Sequence, residues 1–437
     1  MKIFTVEEAK QTILKRRSLN RAEYSPITLE RTEAYFGAGV TPPKAVEIIL
    51  QSVEDDGDLA IRRWSNLLDR YQGEKIKISK EECEQAWKTL NPSLQESMQA
   101  AGERIRQFHQ RQPISSWITG ELGGRLGQRI TPLERVGVYV PGGTAPLPSS
   151  LLMSVIPAQV AGVKQVFVST PPQPDPSILA AAHLCGIDAV YQIGGAQAVA
   201  AFAFGTETVP KVDKIVGAGN LFVTLAKQQL FGVVGMEGLA GPTETMVIAD
   251  QTANPKWVAA DLLAQAEHDV QASAILLTPD LELAKAVQVE VAARIDDLSR
   301  REIILASVEN AGGIVVTDSL GQAADLANQY AAEHLCLSVE QPETLMETIN
   351  NAGGFFLGDH SFEVLGDYVA GPSHVMPTGG TARFASPLNV LDFVKISSVI
   401  ALDSSTAQSL SVIAAELAEM ESLTAHAAAA RARLGES

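Results

Sequence analysis

The chain has 437 residues and a formal net charge of −17 at pH 7, with 46% hydrophobic and 19% charged residues. This composition excludes a disordered chain and predicts about three domains, or two larger ones with appended segments. The negative charge argues against a nucleic-acid partner and against an anionic membrane surface, because both attract Lys- and Arg-rich proteins. We therefore expect a large acidic enzyme.

Membrane-spanning and export segments are not expected. No apolar stretch reaches about 18 residues, and the N-terminal sequence lacks a signal-peptide core. Cys83, Cys185 and Cys336 are odd in number and widely spaced. This pattern predicts reduced thiols in the cytoplasm rather than a disulfide framework.

Helical periodicity dominates roughly the first 125 residues. Apolar residues recur at helical spacing from Ala45 to Trp64, and Thr41 followed by Pro42 is typical of a helix start. We therefore predict a mainly helical N-terminal region.

Two series of short apolar runs follow, with Ala- and Leu-rich helical stretches between the runs. This alternation predicts parallel sheets built from βαβ units. The predicted strands of the first series are RVGVYV, VKQVFVST, IDAVYQI and VDKIV, which begin at Arg135, Val163, Ile187 and Val212. Those of the second series are MVIAD, SAILLT, GGIVV, HLCLSV and GGFFL, which begin at Met246, Ser273, Gly312, His334 and Gly353.

The end of the chain has two parts. An irregular segment rich in Gly, Ser, Thr and Pro runs from Pro372 to about Pro387, and a long Ala-rich helix is predicted over most of the stretch from Ser405 to Leu434. A long polar loop inside an enzyme is usually functional.

The seven histidines can be considered one by one. We expect His109 to face solvent from a polar helix and His183 to be a core histidine, whereas His360 has no assignable place. Gln265 and His268 lie three positions apart on a predicted helix, so both side chains share one face and could hold a metal ion. The same spacing is also common on solvated helices.

A carboxylate and an imidazole stand side by side at Glu333 and His334, where a strand is predicted to begin. The pair suits acid–base chemistry at the edge of a cleft, although the same dipeptide also occurs where a helix ends in water. Cys336 could be a nucleophile beside this imidazole, but a buried and inert strand position is the preferred interpretation. Asp367 and His374 fall in a polar loop.

Glu421 and His426 lie five positions apart on the predicted last helix. This is not a same-face spacing, so the residues alone favour two surface positions.

Glycine-rich turns end several strands of the first series. PGGTAP, IGGAQA and VGAGN begin at Pro141, Ile193 and Val216, but no G-x-G-x-x-G opens a helix there and no Walker-type loop is present. The strand ends of a parallel sheet together form a ligand crevice. A dinucleotide could therefore bind here without the usual fingerprint, and loosely.

Several long motifs resemble those of the histidinol dehydrogenase family. They are RVGVYVPGGTAPLPSSLLMSVIPAQVAGV, GGAQAVAAFAFGTETVPKVDKIVGAGN, AGPTET, LLAQAEHD, AAEHL and GDYVAGPSHVMPT, in family order and spacing from about residue 30 to the end. Three departures occur. Gly217–Asn220 reads Gly-Ala-Gly-Asn where the family often has Gly-Pro-Gly-Asn, Thr243 stands where Ser is also found, and Met236-Glu237 replaces Ile-Asp of some members.

The resemblance implies oxidation of L-histidinol to L-histidine through histidinal with two molecules of NAD, the last steps of histidine biosynthesis. It also implies one Zn²⁺ per subunit and a cytoplasmic homodimer with shared active sites. Glu333 and His334 match the catalytic pair. The matched zinc ligands are Gln265, His268, Asp367 and, from the other subunit, His426. The matched substrate-binding positions are Thr243, Gln265, His268, His334, Asp367, His374, Glu421 and His426, and the matched nucleotide-contacting positions are Tyr139, Gln197 and Asn220.

The chemistry implied by these residues is coherent. Oxygen and nitrogen ligands suit zinc, which would orient the imidazole and amine of the substrate. Neutral His334 would accept the hydroxyl proton as hydride leaves, Glu333 would activate a water that adds to the aldehyde, and His334 would assist the second transfer. The rate should then fall as the pH drops through the pKa of His334.

The expected fold class is α/β: two Rossmann-like, incomplete parallel-sheet domains with helical N-terminal and C-terminal segments, in an intertwined dimer. The expected divisions are a helical N-terminal segment (1–29), a discontinuous catalytic domain (30–134 and 241–381), a nucleotide-binding domain (135–240) and a tail (382–437) that packs on the partner. A long Ala-rich helix that carries a ligand histidine needs a surface to pack on.

Three other functions stay open at this point. A zinc hydrolase would use Glu333 as base but leaves the glycine-rich strand ends without a role. A non-catalytic metal-binding or imidazole-binding protein, and an NAD-dependent dehydrogenase of another small polar alcohol, are the others. Thr243, His374 and Glu421 suit a nitrogen-rich substrate, which favours histidinol.

Overall fold

The computed structural model describes residues 1–16, 24–142 and 145–434. The chain divides into two units, Met1–Arg111 with Glu134–Phe393 and Gln112–Leu133 with Val394–Ser437. The strands are β1 (Ile3–Thr5), β2 (Lys77–Ser79), β3 (Trp117–Thr119), β4 (Arg125–Pro132), β5 (Arg135–Tyr139), β6 (Gln165–Thr170), β7 (Ala189–Gln192), β8 (Lys214–Val216), β9 (Gly235–Met236), β10 (Glu244–Ala249), β11 (Ser273–Thr278), β12 (Gly313–Val316), β13 (His334–Ser338), β14 (Gly354–Leu357) and β15 (Val394–Ala401).

The α-helices alternate with these strands. They are α1 (Val6–Gln11), α2 (Pro26–Phe36), α3 (Pro42–Asp56), α4 (Asp58–Asp69), α5 (Lys80–Thr89), α6 (Pro92–His109), α7 (Pro148–Val160), α8 (Pro176–Leu184), α9 (Gly195–Phe204), α10 (Leu221–Gln229), α11 (Pro255–Ala266), α12 (Leu281–Ile295), α13 (Arg301–Asn310), α14 (Leu320–Tyr330), α15 (Pro342–Met346), α16 (Glu363–Tyr368), α17 (Ser404–Met420) and α18 (Thr424–Arg431). None of the described helices is both long and apolar enough to cross a membrane.

Sheet 1 of the first unit has the strand order β1-β12-β11-β10-β13-β14, with every neighbouring pair parallel. Strands β10 and β13 are buried along their whole length, as expected where helices cover both faces of a parallel sheet. Val247 and Leu276 pack in one apolar cluster and Met246 and Ile275 in another, because successive strand residues point to opposite faces.

Sheet 2 of the same unit has the order β2-β7-β6-β5-β8-β9. Strand β2 is antiparallel to β7, and the other neighbours are parallel. The Ala-rich helix α9 is buried from Ala196 to Ala203, and it packs with α3 and α10. Small side chains let this helix lie close to the sheet.

The second unit is an antiparallel sheet with two helices. Its strand order is β15-β4-β3, and α17 packs against α18. Asp403 caps α17 by accepting a hydrogen bond from Thr406 N. Several apolar side chains of α17 are exposed, namely Leu410, Val412, Ile413, Leu417 and Met420.

The predicted strands of both series form, as β5–β8 and β10–β14, and the mainly helical N-terminal region is also confirmed. The grouping of segments differs from the expected one. Strand β2 pairs with β7, and α3 and α5 pack on helices of sheet 2, so Pro42–His109 lies with sheet 2 rather than with residues 241–381. An apolar face that packs well on another helix does not specify which sheet it will cover.

The N-terminal residues also differ from the expected helical segment. Strand β1 pairs with β12 in sheet 1, and Phe4 and Ala9 are buried there. Residues 17–23 of that segment lie outside the described residues, as do Gly143 and Thr144 of the PGGTAP turn.

Other local expectations were wrong. His109 is buried at 1% exposure rather than solvent-facing. The last helix is interrupted between α17 and α18, where Ser422 has a φ of +61°. His268 lies in the turn after α11, and Asp367 lies on the short helix α16 rather than in a loop.

Candidate active site

A cavity of about 150 Å³ lies where the amino ends of β10 and β13 face the loops that follow β5 and β8. Sheet 1 therefore contributes the side at which its strands begin, called its amino edge below. Sheet 2 contributes the side at which its parallel strands end, called its carboxyl edge. The described residues that line it include Leu147, Ser150, Gly217, Ala218, Thr243, Gln265, His268, Glu333, His334, Asp367, His374 and Met376. The predicted position of Glu333 and His334 where a strand begins is confirmed, since β13 starts at His334.

Glu333 is held on the backbone that precedes β13. Its Oε2 accepts hydrogen bonds from the Thr243 hydroxyl at 2.6 Å and from Glu244 N at 3.0 Å. Burial raises the pKa of Glu333 to about 8, although the two hydrogen bonds favour the ionised form. The carboxyl is thus fixed in place and close to losing its proton near neutral pH.

His334 is the first residue of β13 and is buried. Its Nδ1 lies 3.3 Å from Glu244 O, so Nδ1 carries the proton and donates to that carbonyl. Its Nε2 is buried without a hydrogen-bond partner among the described residues, and lies 3.7 Å from Asp367 Oδ1. Burial lowers the pKa of His334 to about 3. A neutral imidazole therefore has a free lone pair in the site.

Gln265, His268 and Asp367 line the same cavity. The Gln265 amide lies 2.5 Å from Thr243 Oγ1. Its Nε2 donates to that hydroxyl, whose own proton is donated to Glu333. Burial raises the pKa of Asp367 to about 6. The structure thus brings the three residues Gln265, His268 and Asp367 to one cavity.

The chemistry of these donors fits a divalent cation. The cavity wall combines an amide, an imidazole and a carboxylate, and none of its described lining residues is Lys or Arg. Oxygen and nitrogen donors of this kind suit zinc. No group of three or more His, Cys, Asp or Glu side chains within the described ranges is arranged to hold a metal. The expected role of His426 would add a further ligand.

His374 lies in the loop after α16. Its Nδ1 donates to Asp367 O at 2.8 Å, so its Nε2 accepts from the Ser150 hydroxyl at 2.9 Å. Burial lowers the pKa of His374 to about 4. Because Ser150 lies on α7, this hydrogen bond connects the loop to the elements of sheet 2.

The three residues predicted to contact the nucleotide all lie at the carboxyl edge of sheet 2. Tyr139 ends β5, and its hydroxyl accepts from Gly195 N at 3.1 Å. Gln197, on α9, is fully buried and donates to Asp69 at 3.1 Å, while its Oε1 has no partner among the described residues. Asn220 caps α10 by accepting from Phe222 N and Val223 N.

Glu421 and His426 belong to the second unit. Glu421 follows the end of α17, and His426 lies on α18; both are exposed. Their expected place beside the cavity stays a prediction.

Comparisons with known proteins show which family the chain belongs to. A family model described as histidinol dehydrogenase matches residues 40–434. The histidinol dehydrogenase of Dehalococcoides mccartyi is 48% identical over 410 residues, which cover 93% of this chain and 94% of that protein. The histidinol dehydrogenase of Thermus thermophilus is 48% identical over 387 residues, which cover 89% and 93%. The chain belongs to the histidinol dehydrogenase family.

A solved structure supports the same conclusion. The crystal structure of histidinol dehydrogenase from Elizabethkingia anophelis matches with a TM-score of 0.91 and 34% sequence identity, over 99% of this chain and 98% of that one. Membership in the histidinol dehydrogenase family makes the chain an oxidoreductase and confirms the resemblance found in its motifs.

Sequence reasoning missed several residues that hold Glu333 and His334 in place. Glu244 provides the backbone N–H and C=O groups that hold Glu333 and His334. Arg16 pairs with the Glu244 carboxylate and donates to Ala331 O at 3.0 Å, which fixes the segment before Glu333. The contacts of Glu244 with Glu333 and His334 join residues 89 and 90 positions apart, and those of Arg16 join residues 228 and 315 apart, so no local pattern could reveal them.

Glu363 is a residue that the sequence could have revealed. It lies four positions before Asp367 on α16, is buried at 1% exposure, and contacts the Thr245 hydroxyl. A carboxylate four positions before a proposed metal ligand lies on the same face of the helix. This spacing is a local indication that the carboxylate helps to hold that ligand in place.

Proposed function

We propose that this protein oxidises L-histidinol to L-histidine through histidinal, with two molecules of NAD as hydride acceptors. The observation that carries the proposal is the neutral His334, whose Nε2 is unpaired among the described residues and directed toward the cavity next to Asp367. A base with a free lone pair, beside a fixed carboxyl and a candidate cation site, suits the oxidation of an alcohol.

The first oxidation uses His334. Its Nε2 accepts the hydroxyl proton of histidinol while the carbon-bound hydrogen leaves as hydride to the nicotinamide, which gives the aldehyde and NADH. The Nδ1–H bond to Glu244 O keeps the ring in the orientation that this transfer needs. The imidazolium that forms lies 3.7 Å from Asp367, whose negative charge stabilises it.

The second oxidation adds Glu333. Its carboxylate removes a proton from a water molecule as the water oxygen adds to the aldehyde carbon. The carboxyl then returns that proton to the former carbonyl oxygen, which gives a gem-diol and restores the carboxylate. His334, after losing its first proton to solvent, accepts a diol proton as the second hydride leaves, and the carboxylic acid results. The bonds from Thr243 and Glu244 N stabilise the ionised form of Glu333.

We propose that Gln265, His268 and Asp367 hold one Zn²⁺, together with His426 of a second copy of the chain. When bound, the zinc would orient the imidazole and amine of the substrate. Thr243 and His374 border the same cavity and would contact the substrate, and Tyr139, Gln197 and Asn220 would contact the nucleotide.

We also propose a homodimer in which Glu421 and His426 complete the site of the other copy. The exposed apolar side chains of α17, including Leu417 at 53% and Met420 at 75%, support this proposal because they would be covered by a partner. The free, buried Cys83, Cys185 and Cys336 support a reducing compartment, which we take to be the cytoplasm.

The primary test is NADH release from NAD and L-histidinol, measured before and after treatment with a zinc chelator and after zinc is restored. We expect two NADH per histidinol, loss of turnover on chelation, and recovery with zinc. A protein that binds histidinol without making NADH would contradict the proposal and favour a binding function. Preferential oxidation of another small polar alcohol would contradict the substrate assignment.

Shared sites have a separate test. His334→Ala and His426→Ala are each inactive in the proposed mechanism, but a mixed dimer of the two would contain one intact site. After unfolding and refolding together at equal amounts, about a quarter of wild-type activity should return. No recovery, with mixed dimers verified by mass spectrometry, would show that each site uses residues of one chain.

A further inference from the structure

A buried ion pair between Lys227 and Glu237 lies behind the turn at the end of β8. The Lys227 side chain on α10 is 2% exposed, and its Nζ lies 2.8 Å and 2.9 Å from the two Glu237 carboxylate oxygens. Buried ion pairs are rarely needed for stability, because desolvation offsets most of their attraction. A pair this deeply buried is therefore expected to have a role besides stability.

Both members of the pair bond the backbone of one residue, Gly217. Glu237 Oε1 accepts from Gly217 N at 2.7 Å, and Lys227 Nζ donates to Gly217 O at 3.0 Å. The N–H and the C=O of this glycine are thus both bound to charged groups, which form stronger hydrogen bonds than neutral ones.

The opposite side of Gly217 is closed by strand β5. Its φ is +107°, and an added Cβ would lie 2.0 Å from Tyr139 O. The turn is therefore fixed between Tyr139 on one side and the ion pair on the other. Gly217 and Ala218 also line the cavity, and Asn220 caps the N-terminus of α10 three residues later.

We propose that Lys227 and Glu237 are positioning residues for the dinucleotide: they set the conformation of the Gly217–Asn220 turn and so the fit of NAD at the carboxyl edge of sheet 2. The inference deepens the proposed function and rests on it. It predicts that loss of the pair weakens nucleotide binding and leaves histidinol binding nearly unchanged, because Gln265, His268 and Asp367 lie on other elements.

The test is the double variant Lys227→Met/Glu237→Leu, which removes both charges and leaves no buried charge unpaired. The matched control is Lys214→Met/Asp392→Leu. That pair is less buried, lies at the start of the same strand β8, and also has a lysine bonded to a backbone carbonyl, but it does not contact the turn. Both proteins are measured as full-length, zinc-loaded enzymes.

The readouts are the Kd of NADH from fluorescence titration without histidinol, the KM values for NAD and histidinol, and the Tm. We expect the Kd of NADH and the KM for NAD to rise about tenfold in the first variant, as expected for one lost charged hydrogen bond, with the KM for histidinol within about twofold. In the control, all three constants should stay within about twofold even if the Tm falls.

An equal loss of NADH affinity in both variants, or an unchanged affinity in the first, would overturn the inference. If the double variant does not fold, Glu237→Gln tests the same point: a rise of about threefold in the Kd of NADH supports the inference and no change overturns it. Failure of the wild-type protein to oxidise histidinol would instead overturn the proposed function, since NADH titration does not depend on turnover.

Discussion

The two edges that face each other across the cavity differ in what they present to it. The amino edge of sheet 1 presents ionisable side chains, Glu333 and His334, each bonded to the backbone of Glu244. The carboxyl edge of sheet 2 presents residues without ionisable side chains, including Ser150, Gly217 and Ala218, and the charged Lys227 and Glu237 bond the backbone of Gly217.

Because of this difference, substitutions on the two sides of the cavity should affect different steps: the reaction on one side and nucleotide binding on the other. On the sheet 1 side, burial shifts the pKa of each reacting group and leaves one nitrogen atom free, so that a single side chain determines the reaction. On the sheet 2 side, the turn at Gly217 is held through its backbone N–H and C=O groups, so that substitutions there are expected to act through the fit of the nucleotide. We therefore expect changes in kcat from the first edge and changes in NAD affinity from the second.

The largest effect should come from His334→Ala. It removes the group that accepts the hydroxyl proton, and we expect kcat for NADH formation to fall about 1,000-fold, within the usual range for a general base. The KM for NAD should change little. Steady-state kinetics with varied histidinol and varied NAD measure both constants.

Cys336→Ala is the matched control for that substitution. Cys336 lies on the same strand and is buried and free, so its removal tests the effect of loosening β13 without removing a base. We expect kcat within about threefold of wild type, since a small buried side chain acts here through packing alone. A loss as large as that of His334→Ala would show that the cysteine takes part in the reaction.

Glu333→Gln should have the next largest effect, and it should be confined to half of the reaction. An amide keeps the size of the side chain but cannot take a proton from water. Formation of histidinal should remain within about threefold, whereas oxidation of added histidinal should fall about 100-fold. Both half-reactions can be followed by stopped-flow absorbance of NADH.

An equal loss in the two half-reactions would refute the division of roles between Glu333 and His334. It would indicate that Glu333 acts only by holding the Thr243 hydroxyl and the Glu244 backbone in place.

The contrast between the edges also explains what the sequence could predict. The strands were predictable because buried parallel strands are continuous apolar runs, as in β10 and β13. The candidate residues on sheet 1 were found because His, Glu and Asp are scarce enough in such runs to stand out. Their roles and the zinc set came from the resemblance of the motifs to a family, rather than from spacing.

Other features were beyond the reach of local patterns. The placement of Pro42–His109 on sheet 2 depends on which helix faces fit each other, and hydrophobic periodicity does not encode that choice. His109 was misjudged because its neighbours in sequence are polar, while its own position on α6 is buried. The Lys227–Glu237 pair was missed because a single buried lysine resembles any surface lysine in sequence.

Gly217→Ala tests the backbone character of the second edge. The new Cβ would meet Tyr139 O at 2.0 Å, so the turn must move, and we expect the KM for NAD to rise about tenfold with little change in the KM for histidinol. Gly232→Ala is the control, because Gly232 has a similar φ of +96° but nothing within 4 Å of the added atom. Equal effects on NAD affinity would mean that backbone strain alone, rather than the position of the turn, is responsible.

The smallest predicted effect concerns the excess of carboxyl groups on the sheet 1 side. Burial, and then the nearby Asp359, raise the pKa of Asp261 on α11 from 3.8 to about 7. The folded protein therefore keeps this proton up to a higher pH than the unfolded chain does, and stability from the group is lost as the pH rises from about 4 to about 7.

Asp261→Asn removes that titration. Its free energy of unfolding should exceed that of wild type by about 1–2 kcal/mol at pH 8 and by much less at pH 5, as measured by urea denaturation. Asp188→Asn, an exposed position on the sheet 2 side, should change little at either pH. A difference for Asp261→Asn that is the same at both pH values would place the effect in packing rather than in the titration of this carboxyl.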